Sequence, residues 1–391
     1  MESVADTAEF AVIANFDSAH PKAAQINPMK NLKPIDPSAR GSDTAHALTW
    51  GLVAAAVLIA GIVFGSRGFR DFDPVLVSYA GATVFSVFGL GYRYAMWLRR
   101  PPTRLYFFRG WQIFLQPSKL PGNLAHLARI LWDNVVLQRF IEHRSKTRWA
   151  AHWFLAWGCL IAAAVTFPLS FGWIRFETAP DDQQIYRAFV FGIHVGSFPL
   201  DSLIAPLAFN ILDICALMVL VGVFVAMWRR GRDRGAMSLQ QFSNDLLPLI
   251  LLFAISVTGL FLTASTHLMR GSHYVFLSQM HAVTVIFTLL YLPFGKFFHI
   301  FQRPAQMGID FYKRAGEERG RPPCVRCGQP FATGLQIGDL KTVQSALGIQ
   351  YRMKDGTHYQ DVCPACRRKN VALTQDAMWR TPQAELERLG F

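Results

Sequence analysis

The sequence predicts an all-α membrane protein: a six-helix transmembrane bundle followed by a small cytoplasmic zinc-ribbon-like C-terminal domain. Three observations support this fold class. The 391-residue chain is 52% hydrophobic and only 17% charged, which is unlike the composition of soluble proteins. Six apolar runs are long enough to cross a bilayer. After the last run, four of the six cysteines form two C-x-x-C pairs, a pattern typical of a metal site.

Polar or turn-forming residues bound each apolar run. Pro168 lies near the end of the third run, where a membrane helix tolerates a kink, and Pro248 lies in the first turn of the fifth. The polar start of the chain lacks the pattern of a signal peptide, so we expect the first run to be retained. The predicted spans are approximately Thr49–Gly65, Val75–Trp97, Trp149–Trp173, Leu203–Trp228, Leu246–His267 and Tyr274–Phe301.

Basic residues predict the topology. Between Arg99 and Arg148, ten Lys or Arg stand against only Asp133 and Glu142, and the segments after the fourth and sixth spans are basic too. The positive-inside rule therefore predicts a multi-pass protein of a bacterial-type inner membrane with both termini in the cytoplasm. The expected organisation is a polar segment (1–47), a transmembrane domain (48–304, core 75–304, surface loop 98–148) and a cytoplasmic tail (305–391).

The basic loops also account for the net charge of +13, so we expect contact with membrane lipid and no binding of nucleic acid. The loop 98–148 is too long for a plain turn. Its apolar content predicts helices that lie on the inner membrane surface, where a soluble partner subunit could bind. The apolar residues concerned are Leu124, Leu127, Leu131, Trp132 and Val136.

His281 and His299 are eighteen residues apart in what reads as one spanning helix. Eighteen residues make roughly five turns, so the two rings would share one helix face at a separation of roughly 27 Å. Imidazole inside a bilayer is costly and needs a partner. The spacing therefore predicts two stacked haems that form an electron path across the membrane.

Each haem would need a second histidine. His152, in the run RWAAHWFLAWG, lies about one turn inside the cytoplasmic end of the third span and could pair with His299 at an inner haem. For His281 the candidates are His194, which we favour because its segment is apolar, and His267, with His273 less favoured. Alternatively, the outer haem is absent and His281 serves a quinone or a polar network.

Two motifs resemble a known family. His281, the run Pro293-Phe294-Gly295-Lys296 and the run His299-Ile300-Phe301 resemble the last helix of respiratory nitrate reductase gamma subunits. The run RWAAH that ends at His152 is similar to cytochromes of heterodisulfide-reductase and sulfite-reduction membrane complexes. The resemblance covers roughly residues 75 to 304, so the first span would be an addition to the five-helix core of the family.

The resemblance implies a quinone-reactive b-type cytochrome that is the membrane subunit of a respiratory oxidoreductase. Such a subunit passes electrons between quinol and a cytoplasmic iron–sulfur subunit, with a molybdopterin catalytic subunit as a further partner. It implies that His152 and His299 ligate an inner haem b and that His281 ligates an outer one. Nitrate reductase members carry a second histidine on the third span, where this chain has Ala162.

The tail contains Cys324 and Cys327, then Cys363 and Cys366 roughly 35 residues later. Four thiolates in the reducing cytoplasm predict a tetrahedral metal site rather than disulfides. Zinc as a structural clip is favoured over a rubredoxin-like single iron, because the neighbouring Arg326 and the run 367–369 are basic. The basic charge suits an acidic partner surface, and residues 374–389 have the spacing of a partner-binding helix.

Two other function classes stay open. A secondary transporter without haem would also have membrane histidines, although no repeated halves are visible in the sequence. A zinc-bearing membrane scaffold would use the histidines only for packing. The sequence leaves open the terminal electron acceptor, the quinone type and the direction of electron flow.

Overall fold

The structure is a computed structural model that describes residues 42–380, apart from 234, 236, 237, 239, 350, 354 and 355. Its helices are α1 (Asp43–Gly65), α2 (Val77–Arg99), α3 (Pro101–Phe114), α4 (Leu120–Leu131), α5 (Arg139–Glu142), α6 (Lys146–Ser170), α7 (Ile204–Arg232), α8 (Leu247–His267), α9 (Tyr274–Tyr291), α10 (His299–Glu317), α11 (Gly334–Ala346) and α12 (Pro364–Arg380). The described chain forms two compact units. We name them the bundle unit (42–97 with 124–305) and the cysteine unit (98–123 with 306–380).

Six helices of the structure are long and apolar enough to cross a membrane, as the sequence predicts for a multi-pass membrane protein. They are α1, α2, α6, α7, α8 and α9. Small residues allow close packing in this unit. A Cβ atom at Gly158 of α6 would lie 2.9 Å from the carbonyl oxygen of Cys215 on α7, and one at Gly222 would lie 2.9 Å from that of Ala151. Glycine at these positions therefore lets the α6 and α7 backbones approach.

The segment between α6 and α7 corrects the all-α prediction. It forms an antiparallel sheet of β1 (Ile174–Thr178), β2 (Ile185–Val190) and β3 (Ile193–Pro199), in that order. Phe191 and Gly192, which join β2 to β3, have φ angles of 50° and 78°. Positive φ at both central residues is the type I′ geometry that matches the twist of a hairpin. Aromatic and β-branched residues such as Tyr186 and Val190 supply the strand propensity, which the prediction of an all-α fold overlooked.

The sixth predicted span, Tyr274–Phe301, is wrong as a single helix. Helix α9 ends at Tyr291, a short 3-10 turn covers Lys296–Phe298, and α10 begins at His299. Pro293 has no backbone N–H, so it cannot donate to the carbonyl of Leu289 and continue the helical hydrogen bonds. Consequently His281 and His299 lie on different helices and do not share one helix face, contrary to the prediction.

The cysteine unit is built around a buried ion pair. Arg109 of α3 donates from Nη2 to Oδ1 of Asp339 at 2.8 Å and from Nε to Oδ2 at 3.3 Å, and both side chains are almost fully buried. Helix α3 belongs to the loop 98–148, so part of that loop packs with the tail instead of standing apart from it. The helices predicted for the loop are confirmed as α3, α4 and α5.

Other parts of the predicted tail follow the sequence less completely. Within the described residues, this unit contains helices and two isolated bridges, Pro323 with Pro330 and Arg352 with His358, but no strand of a ribbon sheet. The predicted helix at 374–389 is present as far as Arg380, as the end of α12. Residues 381–391, and residues 1–41 of the polar N-terminal segment, lie outside the described part of the chain.

We predict that Arg109→Met lowers the free energy of unfolding of the cysteine unit by about 3–5 kcal/mol, because it leaves the Asp339 carboxylate buried without its partner. Lys119→Met is the matched control. It breaks the ion pair with Glu318, whose side chains are 48% and 44% exposed, and should cost less than about 1 kcal/mol. Denaturant unfolding in detergent, read by proteolysis between α10 and α12, measures both. Equal losses in the two variants would contradict the ion pair as an organising contact.

Candidate functional site

The bundle unit brings His152 of α6 and His299 of α10 together. Their ring centroids are 6.4 Å apart at an interplanar angle of 61°, and both residues are half-buried. Two imidazole nitrogens, each about 2 Å from one metal on opposite sides, place the ring centres roughly 6 Å apart. The observed separation therefore suits a pair of axial ligands.

The Nδ1 atom of each ring has an acceptor. Nδ1 of His152 lies 2.7 Å from Oε1 of Gln138, and Nδ1 of His299 lies 2.5 Å from the carbonyl oxygen of Lys296. Because both partners are oxygen acceptors, each Nδ1 carries the proton and donates it. Each Nε2 then keeps its lone pair. This is how metal-binding histidines are usually held, by an acceptor on the nitrogen that does not bind the metal.

The backbone that leads to Gln138 is held in place by tryptophan side chains of α6. Gln138 follows a π-helical turn (Trp132–Val136), its φ angle is 54°, and it is 4% exposed. Left-handed geometry is uncommon outside glycine and persists only where neighbours fix it. Tryptophans four residues apart on α6 do so with indole N–H donors: Trp149 to the Leu137 carbonyl (2.7 Å), and Trp153 and Trp157 to the Val136 carbonyl (3.2 Å each).

Positive charge lies close to the histidine pair. Arg303, one turn after His299, stacks over the Phe140 ring with its guanidinium carbon 4.5 Å from the centroid. Phe140 in turn contacts His152 edge to face, at 6.4 Å between centroids. Burial lowers the pKa of Arg303, and the nearby charge of Arg144 lowers it further. The surroundings of the pair therefore favour an anionic group.

His281 of α9 belongs to a separate polar cluster. Its Nδ1 lies 3.0 Å from Oγ1 of Thr258 on α8, which lies 3.2 Å from Oγ1 of Thr284. The Thr258 hydroxyl donates to the carbonyl of Ala254 at 2.7 Å, so it accepts from His281. This hydrogen bond again leaves Nε2 of His281 unprotonated.

The predicted partners of His281 are not at its side. Among the described residues, no hydrogen bond or ring contact joins His281 to His194, His267 or His273. His194 lies exposed on β3, where its Nε2 is 3.0 Å from Oγ of Ser197, so the apolar segment that made it the favoured candidate is a strand. His267 is exposed at the end of α8. Within the part of the chain that the structure describes, His281 therefore has no second histidine with which to hold an outer haem.

Two charged residues within the spans were missed by the sequence reasoning. Asp213 of α7 accepts a hydrogen bond from Thr263 of α8 at 2.7 Å, and Arg93 of α2 donates to the Pro293 carbonyl at 2.6 Å. A charged side chain inside a bilayer is costly, so it usually has a partner and a function. The signal was a charged residue inside each apolar run, Asp213 in the first half of α7 and Arg93 six residues before the end of α2, and it was visible in the sequence.

The four predicted metal ligands do meet in the cysteine unit. The thiol sulfurs of Cys324, Cys327, Cys363 and Cys366 all lie within 4.8 Å of one another. Cys327 Sγ and Cys363 Sγ are 3.7 Å apart. Four sulfurs about 2.3 Å from one tetrahedral metal lie roughly 3.8 Å apart, so this cluster has the dimensions of a zinc or iron site.

Backbone N–H groups prepare these sulfurs for a metal. The amides of Cys363 and Arg326 point at Cys324 Sγ, at 3.2 and 3.4 Å. Burial would raise the pKa of the Cys324 thiol, but the hydrogen bonds from backbone N–H groups outweigh it and lower the pKa to about 6. The first C-x-x-C pair lies in a turn that ends at Gly328 (φ 70°), and the second lies at the start of α12. Both pairs are therefore fixed by local backbone structure.

Comparisons of the chain with protein-family models, with curated proteins and with solved structures found no match.

We predict that Cys324→Ser and Cys363→Ser each abolish tight metal binding, because three thiolates cannot complete the tetrahedral site. Cys159→Ser and Cys215→Ser are matched controls in the bundle unit and should keep the metal. Elemental analysis for zinc and iron on the purified full chain gives the metal per polypeptide. Metal that survives loss of Cys324 and Cys363 would show that it binds elsewhere.

Proposed function

We propose that this chain is a quinone-reactive b-type cytochrome, the membrane subunit of a respiratory oxidoreductase, with one haem b held between His152 and His299. The observation that supports this best is the pair itself. Its rings are 6.4 Å apart, and each Nδ1 donates to a fixed oxygen acceptor. The resemblance of the motifs around both residues to membrane cytochromes agrees with the assignment.

Bound haem would supply one-electron transfer at a potential set by its ligands and surroundings. The residues of the chain would do the holding. His152 and His299 present Nε2 lone pairs, Gln138 and the Lys296 carbonyl fix their tautomers, and the side chains of Arg303 and Arg144 would offset the propionate charge. The donor set therefore fits a bis-histidine haem.

His281 takes the other role left open by the sequence. It has an unprotonated Nε2, it is bonded through Nδ1 to Thr258, and it has no histidine partner among the described residues. A neutral imidazole in an apolar bundle can accept a proton or a hydrogen bond from a quinol hydroxyl. We therefore assign His281 to quinone binding or to a polar network rather than to a second haem.

The two ends of the bundle would then have different tasks. By the positive-inside rule the His152–His299 pair would face the cytoplasm, where an iron–sulfur subunit exchanges electrons with it. Each charge that crosses the membrane is worth about 2.3 kcal/mol per 100 mV, so quinol oxidation on the opposite side would couple to the membrane potential. In the tail, a structural zinc would hold the first cysteine pair against the start of α12. The basic side chains of the tail would suit an acidic partner.

A secondary transporter is the second candidate. Two observations favour it: the sixth span is interrupted before α10, and Asp213 lies inside α7. Interrupted helices and intramembrane carboxylates are frequent at transporter binding sites. A transporter gives no reason for two histidines with identically oriented tautomers to face each other. Absence of haem from well-folded protein would favour the transporter or a zinc-bearing scaffold, in which His299→Ala would leave function intact.

We predict about one haem b per purified polypeptide, measured as pyridine haemochrome. His152→Ala and His299→Ala should each remove it, because a single imidazole binds haem weakly without the opposite ligand. His194→Ala and His273→Ala are controls that should retain it. Low-spin bis-histidine signals in electron paramagnetic resonance should disappear with the haem. Two haems per chain would instead return His281 to the ligand set.

A further inference from the structure

We propose that Arg93 is a positioning residue: it fixes the break between α9 and α10 and so sets the orientation of His299. The inference rests on the proposed function, in which His299 is a haem ligand. Arg93 lies in α2, inside a segment apolar enough to span a membrane. A guanidinium there is expensive unless its donors are used, so its contacts indicate what it does.

Arg93 contacts the break between α9 and α10 at three residues. Nη1 donates to the carbonyl of Pro293 at 2.6 Å and lies 3.3 Å from the carbonyl of Gly295. The guanidinium carbon is 4.3 Å from the centre of the Phe298 ring, which is buried. Arg93 therefore holds the loop by two hydrogen bonds and a cation–π contact within six residues of chain.

The backbone needs this partner. Where α9 stops, turn hydrogen bonds replace the helical ones: the carbonyls of Tyr291 and Gly295 accept from the N–H groups of Gly295 and Phe298, whereas the carbonyl of Pro293 accepts from Arg93. Such groups inside an apolar bundle cost several kcal/mol if no donor reaches them, so non-helical backbone persists there only when protein satisfies it. Arginine suits this task because its planar fork carries several donors and stays charged.

Arg93 belongs to a stripe on α2 that is shaped for the break. Ser86, Gly89 and Arg93 are spaced by three and four residues, which places them on one helix face. The hydroxyl of Ser86 donates to the Leu289 carbonyl. A Cβ atom at Gly89 would lie 2.8 Å from Cβ of Pro293, so only glycine leaves room for that ring. Along this face of α2, Ser86 thus contacts the end of α9, Gly89 makes room for Pro293, and Arg93 binds the loop that follows.

The break controls His299 directly. His299 follows Phe298, and its Nδ1 donates to Lys296, so the 3-10 turn Lys296–Phe298 carries both the stacking partner of Arg93 and the acceptor of the histidine. On another side, Nζ of Lys296 lies 2.6 Å from Oδ1 of Asp245. Displacement of this turn would change the angle between the His299 and His152 rings. That angle is one of the variables that tune a bis-histidine haem.

The test uses the full chain with four substitutions. Arg93→Gln removes the charge and the stacking, whereas Arg93→Lys keeps a charge but replaces the planar guanidinium that stacks on Phe298 with a compact ammonium. Gly89→Ala moves the break by contact with Pro293 while Arg93 stays. Gly81→Ala is the matched control on the same helix, because a Cβ atom there meets nothing within 4 Å.

We expect Arg93→Gln to lose most of the bound haem, and Arg93→Lys and Gly89→Ala to keep haem with a shifted low-spin resonance signal and a shifted midpoint potential. Gly81→Ala should match the unsubstituted protein in all three readouts. A merely stabilising role for Arg93 would lower thermal stability but leave the signal of the remaining haem unchanged. Unchanged signals in Arg93→Lys and Gly89→Ala would therefore overturn the inference.

Amide hydrogen exchange separates this failure from failure of the proposed function. Arg93→Gln should speed exchange selectively at residues 294–299, where the backbone loses its anchor, and Gly81→Ala should not. If the unsubstituted protein holds no haem, the cytochrome proposal fails. Amide exchange then still decides whether Arg93 fixes the turn. If residues 294–299 exchange as slowly in Arg93→Gln as in the unsubstituted protein, the positioning role of Arg93 is rejected as well.

Discussion

The bundle unit depends on one constraint. Where the last span breaks, backbone carbonyls that have lost their helical partner need another hydrogen-bond donor, and the bilayer interior holds no water to supply it. Arg93 supplies it, with hydrogen bonds to Pro293 and Gly295 and its face on Phe298. The same contact resolves two costs at once, a cation within an apolar helix and unpaired backbone. Because the break is stable, α10 can begin at His299 and direct that ring toward α6.

The same need to pair every polar group explains the surroundings of His152 and of the remaining polar residues of the bundle. Indole N–H groups of α6 satisfy the carbonyls that precede Gln138, and Gln138 then fixes the ring of His152. Asp213 with Thr263 and His281 with Thr258 are likewise joined across neighbouring helices. Hydrocarbon gives such groups no alternative partner, so each pairing also restricts the side chain to one orientation. In the proposed cytochrome, this restriction would also preorganise the two histidine ligands.

The cysteine unit is organised by different forces. Arg109 and Asp339 are buried together, and α3, which is distant in sequence, packs against α11 through them. A small core surrounds the sulfurs, in which Val362 is fully buried beside Cys324 and Cys363. Among the described residues, Phe331, Met353 and Val362 pack with the cysteines in this cluster, so a metal bound by four thiolates would add stability to this part of the unit. The cysteine unit therefore depends on contacts that hold distant parts of the chain together, whereas the bundle unit depends on hydrogen bonds that satisfy its buried polar groups.

The sequence by itself determined the six apolar helices, the pairing of His152 with His299 and the four-cysteine cluster. These follow from composition, from depth along a span and from ligand spacing, which are local properties. Only the tertiary structure decided that the sixth span breaks at Pro293, that β1–β3 form a sheet, and that His281 contacts Thr258 instead of a histidine. Periodicity cannot show the break or the contact of His281, because each depends on a partner on another helix, whereas the sheet had a local signal in its aromatic and β-branched residues. An apolar run that contains a proline is predicted as one helix unless the structure shows a residue such as Arg93 bound to the backbone carbonyls at a break.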